Sequence, residues 1–182
     1  LIVPGVRVGP ITATTSEDEL RRLTGGDLTD ADVPASDGSP VPGTALYPDN
    51  PLARILIQWA DPDQRTRPEC VILGRQASLW HTARGVRLGT TLDELVRLNG
   101  GSILVAFDPS AGRGSVHSWE RGRLEEDFGW AELALGGGRW ATLTRSERAQ
   151  IEEAAAEWWL DAASPSVRRL GLHVVEMRWC WF

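Results

Sequence analysis

The stretch Gly85-Val-Arg-Leu-Gly-Thr-Thr-Leu-Asp-Glu-Leu-Val-Arg-Leu-Asn-Gly100 specifies both ends of a helix before anything else about the chain is known. Thr91 is a favourable N-cap, and Glu94 follows three residues later. Together they form a capping box, in which each side chain satisfies an orphan backbone donor of the other. Leu92, Leu95 and Leu98 share one side of the helix. Asn99-Gly100 supplies residues that tolerate the left-handed conformation in which helices end. A helix of about two turns is marginal alone and has to dock on something larger. Gly85-Val-Arg-Leu-Gly89 before it reads as a short extended segment, and Ser102-Ile-Leu-Val-Ala-Phe107 after it as a buried strand.

An edited copy stands upstream. Gly5-Val-Arg-Val-Gly9 is followed by Ser16-Glu-Asp-Glu-Leu-Arg-Arg-Leu-Thr-Gly25. The helical parts share Ser/Thr-x-Asp-Glu-Leu-x-Arg-Leu-x-Gly at an offset of 75 residues. Either the chain carries an internal duplication, or one common strand–capped helix–strand unit is used twice. Two copies are too few for a solenoid, which needs about three. The expected organisation is a single domain over 1–182, with two pseudo-repeated halves, about 1–82 and 83–182, as the variant of it.

Outside the repeat, strands dominate. Residues 1–12 read as a strand and turn. Residues 24–51 are rich in Gly, Asp, Pro and Ser and read as one long loop. Ala53 to Trp59 and Glu69 to Leu73 read as antiparallel strands around a Pro-flanked turn. Ile103 to Phe107 and Ser115 to Trp119 flank a hairpin tip at 108–114, and Glu120-Arg-Gly-Arg123 is a second turn. Trp130 to Leu135 is another short strand. Thr144-Arg-Ser-Glu147 is a further capping box, opening the longest helix at about Arg145 to Ala162. Ile151, Ala154, Ala155, Trp158 and Trp159 form its apolar side. The last segment, Leu172 to Phe182, reads as a strand with Val175, Met177, Trp179 and Trp181 facing one layer. The fold class is therefore α+β: a mainly antiparallel sheet, two short capped helices from the repeated unit, and one longer C-terminal helix.

Charge narrows the function classes. The net charge is −6, and all nineteen cations are arginine. They are scattered, so the stripe that marks a nucleic-acid partner is missing. No apolar run is long enough to cross a bilayer. The chain opens at Leu1 rather than Met, so either a leader has been removed or the start was trimmed. Cys70 and Cys180 each lie in an apolar, strand-like segment. They form one disulfide in an exported chain, or stay as two buried thiols that act as small hydrophobes.

Candidate chemistry is thin. Nine tryptophans build a core or offer an aromatic platform for a sugar or peptide. Trp80 and Trp119 adjoin polar turns and are the platform candidates, with Asp108 and Arg113 of the neighbouring hairpin tip. His81, His117 and His173 have no ligand spacing between them. Asp27, Asp30, Asp32 and Asp37 lack the spacing of a calcium loop. Gly112-Arg-Gly114 lacks the ending of a phosphate loop, and there is no Gly-x-Ser-x-Gly elbow. Glu125-Glu-Asp127 and Glu152-Glu153 read as solvated runs. Neither a metal nor a cofactor is expected.

Several segments carry a resemblance. They are Val8-Gly-Pro-Ile-Thr12 with Thr15, Pro42-Gly-Thr-Ala-Leu-Tyr-Pro-Asp49, Ile57-Gln-Trp-Ala-Asp61, Trp80-His-Thr82 with Gly85 to Thr90, Leu95 to Gly100, Val116-His-Ser-Trp119 with Gly122, and Leu170 to Phe182. In these the chain resembles an uncharacterised group of exported bacterial proteins, some of them lipoproteins. It departs from that group at Asp108 to Arg113, where the group leads one to expect another aromatic. More remotely, the Gly-x-x-x-Gly segment and capped helix are similar to small repeats of β-lactamase-inhibitor-like and outer-membrane-assembly lipoprotein domains. The resemblance implies a periplasmic or lipid-anchored location outside the cytoplasm.

The expectation is an exported, non-enzymatic binding domain whose partner is a protein or a cell-envelope component. One alternative is a glycan- or peptide-directed hydrolase that uses loop carboxylates. Another is a structural or inhibitor subunit that buries its surface in an oligomer.

Overall fold

The computed structural model describes residues 1–74, 76–155 and 159–181. Its strands run in chain order as β1 Ile2–Val3, β2 Arg7–Val8, β3 Ile11–Thr12, β4 Leu28–Pro34, β5 Pro40–Leu46, β6 Ile55–Trp59 and β7 Pro68–Leu73. After these come β8 Leu104–Asp108, β9 Arg113–Ser118, β10 Ala131–Gly136, β11 Leu160–Asp161 and β12 His173–Cys180. The helices are α1 Glu17–Leu23, α2 Leu92–Asn99, α3 Glu125–Phe128, α4 Arg145–Ala155 and α5 Pro165–Arg168, with a 3-10 turn at Trp140–Thr142. The α+β class and the dominance of antiparallel sheet are as the sequence leads one to expect. The chain divides into two compact units, Leu1–Leu88 with Met177–Phe182, and Gly89–Glu176. The strand β12 gives its first half to the second unit and its last residues to the first.

In the first unit β1, β2 and β3 form a small antiparallel meander. Pro4-Gly5 makes the first turn, with Gly5 at φ 67° and the Val6 N–H donating to the Val3 carbonyl at 3.0 Å. Pro at the second position and a left-handed Gly at the third are what such a turn demands. The later Gly85 segment also closes a hairpin, pairing His81 with Arg87, but by a different turn. There the Gly85 N–H donates to the Thr82 carbonyl, and Gly85 itself is the left-handed residue at the end. The two copies thus share glycines and an Arg, yet fold their hairpins in different registers.

The larger strands of this unit run in the order β12, β7, β6, β5, β4. Residues 24–51 are not the single loop their composition suggests: β4 and β5 pair over seven positions, from Leu28 with Leu46 to Pro34 with Pro40. As the edge strand, β4 turns Asp30 and Asp32 to solvent and buries Leu28 and Val33, so it needs few apolar residues. Pro40 and Pro42 lie in the part of β5 that pairs with β4 alone; pairing with β6 begins at Gly43. Trp59 is buried on β6, where its indole N–H donates to the buried Thr44 hydroxyl at 2.8 Å. A disulfide joins Cys70 and Cys180, which face each other directly across β7 and β12.

In the second unit the strands run β11, β8, β9, β10, β12. The capping box of α2 is present: the Thr91 hydroxyl accepts from the Glu94 N–H at 3.2 Å, and Glu94 accepts from the Thr91 N–H at 2.8 Å. Gly100 ends the helix at φ 78°. The buried stripe is Leu92, Leu95 and Asn99, however; Leu98 is only half-buried. Thr144 and Glu147 form the second capping box, with bonds of 3.3 and 2.8 Å.

Two expectations need correction here. The long helix is described over Arg145–Ala155 and does not reach Ala162, and Ile151 is its buried residue among the described ones. Ala154 is exposed. Residues 160–161 are extended instead, with Leu160 opposite Val105, and the Ala162 N–H donates to the Ile103 carbonyl at 3.0 Å. Pairing with β8 satisfies backbone groups that a helix with one buried side chain could not anchor. Trp158 and Phe182 lie outside the described residues. In β12, Met177 and Trp179 are buried as the alternation predicts, but Val174 is buried in place of Val175. Val174 is fixed by its backbone, which donates to the Thr90 carbonyl and accepts from the Gly89 N–H.

Candidate functional site

Trp80 belongs to the first unit, where it is clamped. Its indole N–H donates to the Ala53 carbonyl at 2.8 Å, and its ring stacks on Tyr47 with centroids 6.4 Å apart. The ring also lies against Gly9, where a Cβ would stand 2.7 Å from it. Burial, and secondarily the Asp27 charge, raises the Tyr47 phenol above its ordinary value of 10.0. The ring is half-buried, and its one donor is spent on the backbone.

Trp119 is buried to 7% exposure beside Phe128, with ring centroids 5.5 Å apart. It is a core residue of the second unit and offers no surface platform, contrary to the expectation. The adjoining polar turn is no guide to exposure here, because Trp119 follows β9 directly and its ring lies against Phe128.

Asp108 and Arg113 do meet, as the cross-strand pair that closes the β8–β9 hairpin. Asp108 Oδ1 accepts from the Ser110 N–H at 2.8 Å and from the Ser110 hydroxyl at 2.6 Å. These bonds hold its carboxyl below the ordinary 3.8. The carboxylate is therefore engaged in shaping its own loop. Trp119 stands at the far end of β9 from this pair, and Trp80 is in the other unit.

The loop carboxylates have local duties too. Arg65, left-handed at φ 49°, bridges Glu17 at 2.8 Å and Asp30 at 2.5 Å, and its carbonyl accepts from the Glu17 N–H at 3.0 Å. The arginine thus docks the loop after β6 on the first turn of α1. Asp37 accepts from the Ser39 N–H and hydroxyl, which hold its carboxyl below 3.8. Among the described residues, no three His, Cys, Asp or Glu side chains cluster as a metal site would require.

Three features lie outside the candidate site residues of the sequence. A cleft of about 300 Å³ in the first unit is lined by Pro51, Arg54, Leu56, Gly74, Gln76 and Ala77. It is assembled from separate segments, so no local motif announces it. The second feature is the Asn99 side chain, 1% exposed, which holds the turn at 119–122. Its place seven residues after Leu92 is the signal that puts it on the buried stripe. The third is an exposed stack of His117 on Trp159, with centroids 3.5 Å apart.

No family model matches the chain, and neither does any curated protein. The chain is similar in fold to the solved structure of the uncharacterized protein YfeY from Escherichia coli, with a TM-score of 0.52 and 18% identity over 100% of both chains. At that identity the likeness is one of fold alone. No helix among the described residues is long and apolar enough to cross a membrane.

Proposed function

We propose that the chain is an exported, non-enzymatic domain that binds a protein or another component of the cell envelope, in the periplasm or held to a membrane by a lipid anchor. The observation that carries this reading is the disulfide between Cys70 and Cys180. Such bonds persist in oxidising compartments and are rare in a reducing cytosol. Binding, as opposed to catalysis, is supported by what the candidate groups are used for. Asp108, Asp37, Glu94 and Glu147 hold loops and helix starts, and Arg65 is spent on Glu17 and Asp30. Open aromatic surface remains at Trp130 and Trp159, 77% and 43% exposed. Exposed aromatics of this kind favour partner recognition.

The test has two arms. Thiol titration of the denatured native protein is expected to find no free cysteine until a reductant is added; two free thiols in freshly isolated protein would remove the support for export. Immobilised protein exposed to envelope extract is expected to retain a discrete partner above a blank matrix. Retention no greater than the blank would sink the binding reading.

A further inference from the structure

The second unit carries an aromatic pair whose placement is set by strand register. β8 and β9 shift between Leu104 and Val105: Leu104 faces Ser118, but Val105 faces Val116. His117 is therefore the extra residue of a β-bulge, a device that re-aims a side chain. On β11, Leu160 points inward opposite Val105 at 2% exposure. Alternation turns its neighbours Trp159 and Asp161 to the other face. The two rings meet there, with centroids 3.5 Å apart and planes within 12°. Both residues are exposed, Trp159 to 43%.

A fixed carboxylate lies two residues along from Trp159, on the same face by alternation. Asp161 Oδ1 accepts from the Ser102 hydroxyl and from the Ala163 N–H at 2.8 Å. These bonds anchor one oxygen, and among the described residues none engages Oδ2. The wider field has the same sign: residues 89–176 hold fourteen of the 25 acids and nine of the nineteen arginines. A planar, exposed aromatic pair next to an oriented carboxylate in a negative field complements a planar cation. Guanidinium stacks on aromatic faces and pairs with carboxylates in one geometry.

We infer that His117, Trp159 and Asp161 form a docking site for an arginine side chain on a basic segment of a protein partner. This rests on the binding reading above and names the chemistry of the partner. The negative field disfavours an anionic lipid surface, and a neutral glycan would make no use of the charge of Asp161.

The test is an NMR titration of the labelled full chain with an acetylated tetra-arginine amide, with tetra-glutamate and the neutral tetra-N-acetylchitotetraose as the other probes. The arginine peptide is expected to shift the Trp159 indole and His117 ring signals saturably. Trp159→Ala and Asp161→Asn should each weaken it about three- to tenfold, and added salt should weaken it further. Trp159→Phe, which keeps a ring, should retain most of the affinity. Both positions are exposed, and unchanged amide spectra elsewhere will show that the variants remain folded. Equal affinity in wild type, Trp159→Ala and Asp161→Asn overturns the site, as does a response to tetra-N-acetylchitotetraose alone. An envelope partner retained equally by wild type and Trp159→Ala overturns this site while leaving the binding reading standing.

Discussion

The side-chain amide of Asn99 donates to the carbonyl of Trp119 at 2.9 Å, which ties the last residue of α2 to the turn that follows β9. The same side chain accepts from the Leu124 N–H at 3.1 Å, and the Asn99 carbonyl accepts from the Arg123 N–H at 2.9 Å. Between these anchors Glu120 and Arg121 both adopt left-handed backbone, at φ 48° and 59°. Each such residue costs about 1–2 kcal/mol, so the turn holds only because its surroundings over-determine it. Gly122 completes the arrangement: a Cβ there would overlap the Asn99 amide.

Asn99→Ala is therefore expected to destabilise the second unit by about 1–3 kcal/mol, since it leaves the Leu124 N–H without its acceptor and leaves the Trp119 carbonyl only the Gly122 N–H. Gly122→Ala should cost a similar amount through overlap. In the Asn99→Ala background the cost of Gly122→Ala should shrink, because the group it strikes is gone. Urea midpoints of the two single variants and the double variant measure the coupling. Simple additivity would show that the two sites do not touch.

Gly9 and Gly5 separate two kinds of glycine requirement. Both are left-handed, at φ 59° and 67°, but only Gly9 has Trp80 against it. Gly5→Ala should cost about 1 kcal/mol, the backbone part alone. Gly9→Ala should cost about 2–4 kcal/mol, because the Trp80 ring is pinned by Ala53 and cannot give way. Thermal unfolding of the two variants side by side checks the difference.

The disulfide spans 110 residues. Closing so long a loop in the unfolded chain removes much of its entropy, and loss of such a bond typically costs about 2–5 kcal/mol. Reductant is expected to lower the unfolding free energy by that amount, read as a fall in the urea midpoint. The Cys70→Ser/Cys180→Ser variant should start at the lower midpoint and ignore the reductant.

Acid should weaken these local contacts within a definite pH window. Ser110 holds the Asp108 carboxyl below its ordinary 3.8, Ser39 does the same to Asp37, and Thr144 holds Glu147 below 4.5. A carboxyl with a depressed folded pKa adds stability that is complete above the unfolded pKa and is lost as pH falls through the folded one. These contributions should be intact at about pH 6 and fade below about pH 4. Ser110→Ala should move the Asp108 midpoint up toward 3.8 in a carboxyl-carbon NMR titration, with the Asp37 midpoint unmoved.

Local chemistry was legible in the chain itself. The capping boxes at Thr91 and Thr144, the left-handed Gly100, and the strands β6, β7, β8 and β9 follow from residues that satisfy one another within a few positions. Tertiary structure decided what distant neighbours decide. Pairing with β5 made a strand of the acidic, Pro-bearing β4, because an edge strand has to pair along one edge only. Docking of the 119–122 turn turned Asn99 from a helix-ending residue into a buried anchor. The register of β7 and β12 brought Cys70 and Cys180 face to face, where the sequence allowed either a bond or two thiols. Burial closed off Trp119, and pairing of β11 with β8 opened Trp159. A cap is complete within one turn of chain. Whether a ring is core or surface depends on which strand arrives beside it, and short-range sequence carries no record of that.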